Sequence, residues 1–119
     1  MIGHRLERLA EEIREEASVI VPSLKDPRIG FVTITRVQVT SDLGLATIYF
    51  GVLGAEAERK KTLDGLRAAS GFVRRELGRR LKIRRTPEIH FEYDRGLEAT
   101  ERVARVLDGL KADGEPPGS

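Results

Sequence analysis

The strongest constraint on the fold is a pair of alternating segments separated by a short polar turn. The first segment, residues 31–40, reads FVTITRVQVT, and the second, residues 45–53, reads LATIYFGVL. The first is rich in β-branched residues, and both alternate with the period of two that strands show. The letters SDLG between them supply the Ser, Asp and Gly of a tight turn. We therefore predict a β-hairpin.

The same period assigns side chains to the two faces of each strand. In the first strand, one face carries Phe31, Thr33, Thr35, Val37 and Val39. In the second strand, one face carries Ala46, Ile48, Phe50 and Val52. A third alternating segment, EIHFEY, carries Ile89, Phe91 and Tyr93 on one face and Glu88, His90 and Glu92 on the other. These three segments predict a small, partly antiparallel sheet with one face open to water.

Helical periodicity surrounds these strands. Residues 4–20 repeat apolar side chains at steps of three and four, and Pro22 ends the repeat. A second stripe starts at Glu56 and consists of Leu63, Leu66, Val73, Leu77 and Leu81. Gly71 lies inside this stripe and weakens a helix by roughly 1 kcal/mol relative to alanine. We therefore predict two helices that meet at a kink.

The last predicted helix covers residues 96–110, and KADGEPPGS at 111–119 is predicted to be a disordered tail. The element order is thus αββααβα. A chain of 119 residues fits one compact domain, which we place at residues 1–110. The predicted fold class is α+β, with the helices on one face of a three-stranded sheet.

Several function classes lack support in the sequence. There is no cysteine, and the first residues are charged rather than apolar, so we expect a soluble cytoplasmic protein without disulfides or a membrane span. No Walker loop or GxSxG motif occurs. Glu88, His90 and Glu92 have a spacing that metal sites use, but the ordinary alternation of a strand buried on one side explains them better. We predict no catalytic residue, no cofactor and no metal.

Positive charge is concentrated in residues 67–85, which read RAASGFVRRELGRRLKIRR. This segment holds eight basic residues and one acid, whereas the rest of the chain holds 13 basic and 18 acidic residues. Such polarity is typical of a surface that binds a polyanion, although a solvated helix face would look the same. Phe50, Phe91 and Tyr93 lie in register with apolar neighbours, which disfavours base stacking on the sheet.

Helical projection of this segment puts its leucines on one side and most of its charge on the other. Gly71 and Gly78 fall on the charged side, where a missing side chain would let a phosphate backbone approach. A simple helix break explains Gly71 equally well, and for Gly78 a purely structural role is favoured over a contact role. The candidate RNA contacts are Arg67, Ser70, Gly71, Arg74, Arg75, Gly78, Arg79, Arg80, Lys82, Arg84 and Arg85.

Three stretches of the chain match the pattern of a known family. The most specific is RRTPEIHFEYD at residues 84–94, which is similar to an Arg-x-x-Pro-Glu-(Leu/Ile)-x-Phe-x-x-Asp pattern. The others are the hairpin at residues 26–50 and ASG at 69–71, which is similar to an Ala-x-Gly helix kink. Together they resemble the ribosome-binding factor A family of bacterial assembly factors, and the resemblance extends over about residues 4–110.

The resemblance implies a type II KH-like fold in which residues 69–71 stand where other KH domains carry a GxxG loop. It implies binding to immature 30S subunits through 16S ribosomal RNA and help with late maturation, including processing of the 16S 5′ end. It also implies a role in growth in the cold and release aided by a GTPase. We expect a non-enzymatic protein that is monomeric when free. The alternative is a protein-interaction or oligomeric module that uses the open sheet face or the amphipathic helices.

Overall fold

The computed structural model describes residues 2–96 and shows three helices and a three-stranded sheet. The elements are α1 (Ile2–Ile20), a 3₁₀ turn (Val21–Ser23), β1 (Val32–Val39), β2 (Leu45–Val52), α2 (Glu56–Ala68), α3 (Ser70–Leu81) and β3 (Glu88–Tyr93). The α+β class and the order αββααβ are therefore confirmed. Apart from Gly96, the predicted C-terminal helix lies outside the described residues, as does the tail at 111–119.

The strands lie in the order β1-β2-β3. β1 and β2 are antiparallel, with Val32 opposite Val52, whereas β2 and β3 are parallel, with Ile48 opposite Phe91. In the turn between β1 and β2, the backbone N–H of Gly44 donates to Asp42 Oδ1 at 2.9 Å. The predicted hairpin and the mixed sheet are both confirmed.

The core lies between one face of the sheet and the three helices. Phe50 and Ile48 at the centre of β2 are completely buried. The apolar stripes of the helices cover them and form one cluster with the inward residues of β3. That cluster comprises Ile13, Ala17, Ile20, Val21, Ile34, Ala46, Ile48, Phe50, Leu66, Val73, Leu77, Ile89 and Phe91. The opposite face of β3 exposes Glu88, His90 and Glu92, as the alternation predicts.

The predicted face of β1 is wrong in its first half. Ile34 is buried, whereas Phe31 and Thr33 are exposed. The pairing with β2 shifts between Ile34 and Arg36, which marks a β-bulge at Thr35. A bulge adds one residue to a strand and reverses which side chains face the core after it. A simple period of two therefore cannot hold along the whole strand.

The predicted break in the long helical stripe is present, and Ala69 forms it. Ala69 has φ −91° and ψ −1° between the end of α2 and the start of α3. The hydroxyl of Ser70 donates to the carbonyl oxygen of Arg67 at 2.9 Å and closes the last turn of α2. Gly71 lies within α3. The two-helix prediction is confirmed, with the break two residues before the glycine.

Candidate nucleic-acid interface

The eleven predicted contact residues lie along the last turn of α2, α3 and the loop that leads to β3. Nine of them are exposed, and Ser70 and Gly78 are half-buried. Lys82 ends α3 in the left-handed conformation with φ 52°, which is a common way for a helix to stop. Arg84 and Arg85 follow in the loop. The folded chain thus keeps the basic segment on the surface, although its members differ in their surroundings.

Three of the arginines already have protein partners. Arg74 donates from Nη2 to the carbonyl oxygen of Thr86 at 2.9 Å and so holds the loop before β3 against α3. Arg80 Nη1 lies 3.2 Å from Glu16 Oε2 and connects α3 to α1. Arg79 Nη2 donates to Glu76 Oε1 at 2.8 Å. These three side chains stabilise the fold locally and offer less of their charge to a ligand.

The hydrogen bond from Arg79 is also the main reason that the pKa of Glu76 lies below its usual value, and the nearby positive charge of Arg79 and Arg80 adds to it. The only acid of the basic segment is therefore held in its ionised form. It offsets part of the charge of the two arginines beside it.

Five other cations form no ion pair with the residues that the structure describes. They are Arg67, Arg75, Lys82, Arg84 and Arg85, and we call them the unpaired cations. The pKa of Asp42 in the hairpin turn is lowered mainly by the hydrogen bond from Thr40 and then by the backbone N–H of Gly44, and the charge of Arg85 makes a smaller contribution. Unpaired surface cations retain their full charge for a phosphate backbone. They are the part of the segment best suited to bind a polyanion.

The two glycines of the segment have different environments. A Cβ atom at Gly78 would lie 2.5 Å from Thr86 Oγ1, so Thr86 occupies the gap that we predicted for a phosphate backbone. A Cβ atom at Gly71 would meet only Arg75 Nη1, at 3.7 Å. Gly78 is therefore explained by packing between α3 and the following loop. Gly71 leaves open surface on α3, which is compatible with its predicted contact role.

We expect Gly71→Ala to raise the free energy of unfolding by about 0.5–1 kcal/mol, because alanine favours a helix and nothing obstructs its methyl group. Gly78→Ala should instead lower it by about 1 kcal/mol, because the overpacking at Thr86 exceeds the helical gain. Urea unfolding curves measure both values. Adding Thr86→Ala to Gly78→Ala should recover the loss; equal effects of the two single substitutions would contradict the packing role.

The prediction for the three aromatic residues is confirmed, but a fourth aromatic side chain was overlooked. Phe50 and Phe91 are buried in the core, and Tyr93 is half-buried and packs against it. Tyr49 lies on the opposite, open face of β2, where Arg36 covers its ring. The signal was present in the sequence, because Tyr49 has the opposite parity to Ala46, Ile48 and Phe50.

Within residues 2–96, no group of three or more acidic or histidine side chains has an arrangement that would hold a metal ion. Glu88, His90 and Glu92 share the exposed side of β3 but form no such group. In this part of the chain, no helix is both long and apolar enough to cross a bilayer.

The fold and the surface define a class: a small α+β domain whose most concentrated charge lies on a kinked helix pair and the loop behind it. Comparison with known sequences narrows this class to one family. The chain belongs to the ribosome-binding factor A family, whose model matches residues 5–107. Two curated ribosome-binding factor A proteins from strains DCB-2 and Y51 of Desulfitobacterium hafniense are each 47% identical over 116 residues, covering 97% of this chain and 93% of theirs.

Structures of other proteins show the same fold. The crystal structure of ribosome-binding factor A from Thermus thermophilus superposes with a TM-score of 0.68 at 23% identity, over 76% of this chain and 97% of that one. A putative ribosome-binding factor A from Thermotoga maritima gives 0.66 at 36% identity, over 71% and 82%. A Thermus thermophilus homology model fitted into a map of a 30S complex gives 0.54 at 29% identity, over 78% and 91%. The KH-like part of the predicted fold stays a prediction.

Proposed function

We propose that this chain is a non-enzymatic assembly factor that binds immature 30S subunits through 16S ribosomal RNA. The family assignment supports this proposal, and so does the Thermus thermophilus relative that was fitted into a 30S complex. The observation that carries it is the set of unpaired cations along the end of α2, α3 and the loop to β3. Ribosomal RNA presents a continuous polyanion to which such a set can bind.

The proposed action requires no bond to be made or broken. A factor that binds one arrangement of the RNA more tightly than another shifts the population toward that arrangement. In this way the chain would favour late maturation of the subunit, including processing of the 16S 5′ end, and would matter most in the cold. We further propose that the free chain is monomeric and cytoplasmic and that a GTPase promotes its release.

The affinity for purified small subunits across a salt series tests the proposal. Contact with about four to six phosphates predicts a slope of about −3 to −5 in a plot of log affinity against log salt concentration. Sedimentation or filter binding measures the affinity, and mature subunits provide the matched comparison for immature ones. A slope near zero would reject the electrostatic contact, and equal affinity for mature and immature subunits would reject a role specific to assembly.

A further inference from the structure

One arginine outside the basic segment is held in a fixed position on the open face of the sheet. The guanidinium carbon of Arg36 lies 3.7 Å from the centroid of the Tyr49 ring, and the two residues are direct partners across β1 and β2. The Tyr49 hydroxyl donates to Gln38 Oε1 at 3.1 Å, which fixes the ring from its far end. Arg36 therefore rests on an aromatic surface that is itself anchored.

A buried carboxylate holds the same guanidinium from the side. Arg36 Nε lies 3.6 Å from Asp94 Oδ2, and Asp94 is 6% exposed. Asp94 accepts a hydrogen bond from the Thr35 hydroxyl at 2.5 Å and another from the backbone N–H of Gly96 at 2.9 Å. These two hydrogen bonds orient the Asp94 carboxylate. The fold therefore fixes the position of the Arg36 guanidinium, which does not move as a free side chain would.

The β-bulge produces this arrangement. It places Thr35 beside Asp94 and puts the next residue, Arg36, on the open face. Bulges often redirect a side chain next to a functional site. The Arg36 side chain remains 50% exposed although its neighbours hold it, which leaves part of its planar group available to a ligand.

A cleft of about 380 Å³ begins at this group and runs along the end of β3. Arg36, Tyr49, Glu92 and Arg95 line it, and so does Arg67, one of the unpaired cations. Its volume lies in the range of small-molecule sites. Among the residues that the structure describes, three arginines and one glutamate line it, a net positive set that suits a nucleotide. The cleft therefore joins Arg36 to the surface that we assign to RNA.

We propose that Arg36 stacks on a base of single-stranded RNA in this cleft, while Arg67 contacts the adjoining phosphate. The inference rests on the proposed function and adds base contact to it. Tyr49 covers one face of the guanidinium and Asp94 offsets its charge, so what Arg36 offers is a planar surface more than a charge. Arginine planes stack on unpaired bases in this way.

The test compares a labelled single-stranded oligoribonucleotide of about ten residues with an abasic counterpart of equal length, by fluorescence anisotropy with the full chain. The chain should bind the ordinary strand about fivefold or more tightly than the abasic strand. Arg36→Lys keeps the charge but removes the plane, so it should abolish that difference and leave the affinity for the abasic strand unchanged. Arg8→Lys, at an exposed site on α1, should retain the difference.

Two results would overturn the inference. One is that the unaltered chain binds both strands equally or binds neither. The other is that Arg36→Lys behaves like Arg8→Lys, which would mean that charge alone matters at position 36. Thermal unfolding of each variant shows whether the fold is retained. Normal, salt-dependent binding to small subunits together with either result would leave the proposed function standing and reject only the base contact.

Discussion

Replacing Arg75, Arg84 and Arg85 together by glutamine is expected to weaken binding to small ribosomal subunits by roughly 10²- to 10³-fold near 0.1 M salt. Each cation that neutralises a phosphate releases a counterion, and at this salt concentration one such contact contributes roughly tenfold. The same variant should reduce the magnitude of the salt slope by about two to three. Filter binding across a salt series measures both quantities.

The melting temperature of this variant should change little. The three side chains are exposed and form no ion pair with the described residues, so their removal breaks no ion pair in this part of the chain. Arg74 and Arg80 differ in this respect, because Arg74 donates to the carbonyl oxygen of Thr86 and Arg80 pairs with the carboxylate of Glu16.

The control variant replaces Lys25, Lys60 and Lys61 by glutamine and so loses the same amount of charge. These lysines are exposed and lie outside the basic segment. We expect less than about a threefold loss of affinity, because a charge beyond the contact surface is screened within about 10 Å at 0.1 M salt. If both triple variants lose affinity equally, net charge rather than this surface determines binding.

Phe50→Ala is expected to lower the free energy of unfolding by about 3–5 kcal/mol. Phe50 is completely buried at the centre of β2, and its ring packs edge-on against Tyr93 with centroids 5.9 Å apart. Truncation removes buried apolar surface and leaves a cavity in a close-packed core. Domains of this kind are stable by about 5–15 kcal/mol in total, so the loss is a large fraction. Urea unfolding monitored by circular dichroism measures it.

Phe31→Ala provides the matched control. Phe31 is 88% exposed just before β1, although the alternation of the sequence places it on the same face as Val37 and Val39. Its truncation should change the free energy of unfolding by no more than about 0.5 kcal/mol. A loss comparable to that of Phe50→Ala would contradict the observed bulge, because it would require Phe31 to face the core.

The comparison of these phenylalanines shows how far periodicity can predict burial. Alternation was sufficient for β2 and β3, which are regular, and Ile48, Phe50 and Phe91 are buried as predicted. Alternation failed in β1 because of the bulge at Thr35. The hydroxyl of Thr35 donates a hydrogen bond to Asp94, a residue 59 positions later in the chain. A local pattern carries no information about so distant a partner.

The same limit applies to the candidate site. The basic residues of 67–85 are evident from composition, and the break between α2 and α3 follows from the residues at 69–71. The division into paired and unpaired cations is not evident, because Arg80 meets Glu16 from 64 positions away. Nor does the sequence show that Thr86 fills the space at Gly78 or that Arg36 covers Tyr49.

The sequence by itself determined the element order, the hairpin, the apolar stripes and the concentration of positive charge. These properties depend on periods of two or 3.6 residues and on local composition, which are local in the chain. Only the tertiary structure decided which cations remain unpaired, which glycine leaves open surface and which arginine is held on an aromatic ring. Those outcomes depend on contacts between distant segments, whose partners are set by how the helices pack on the sheet.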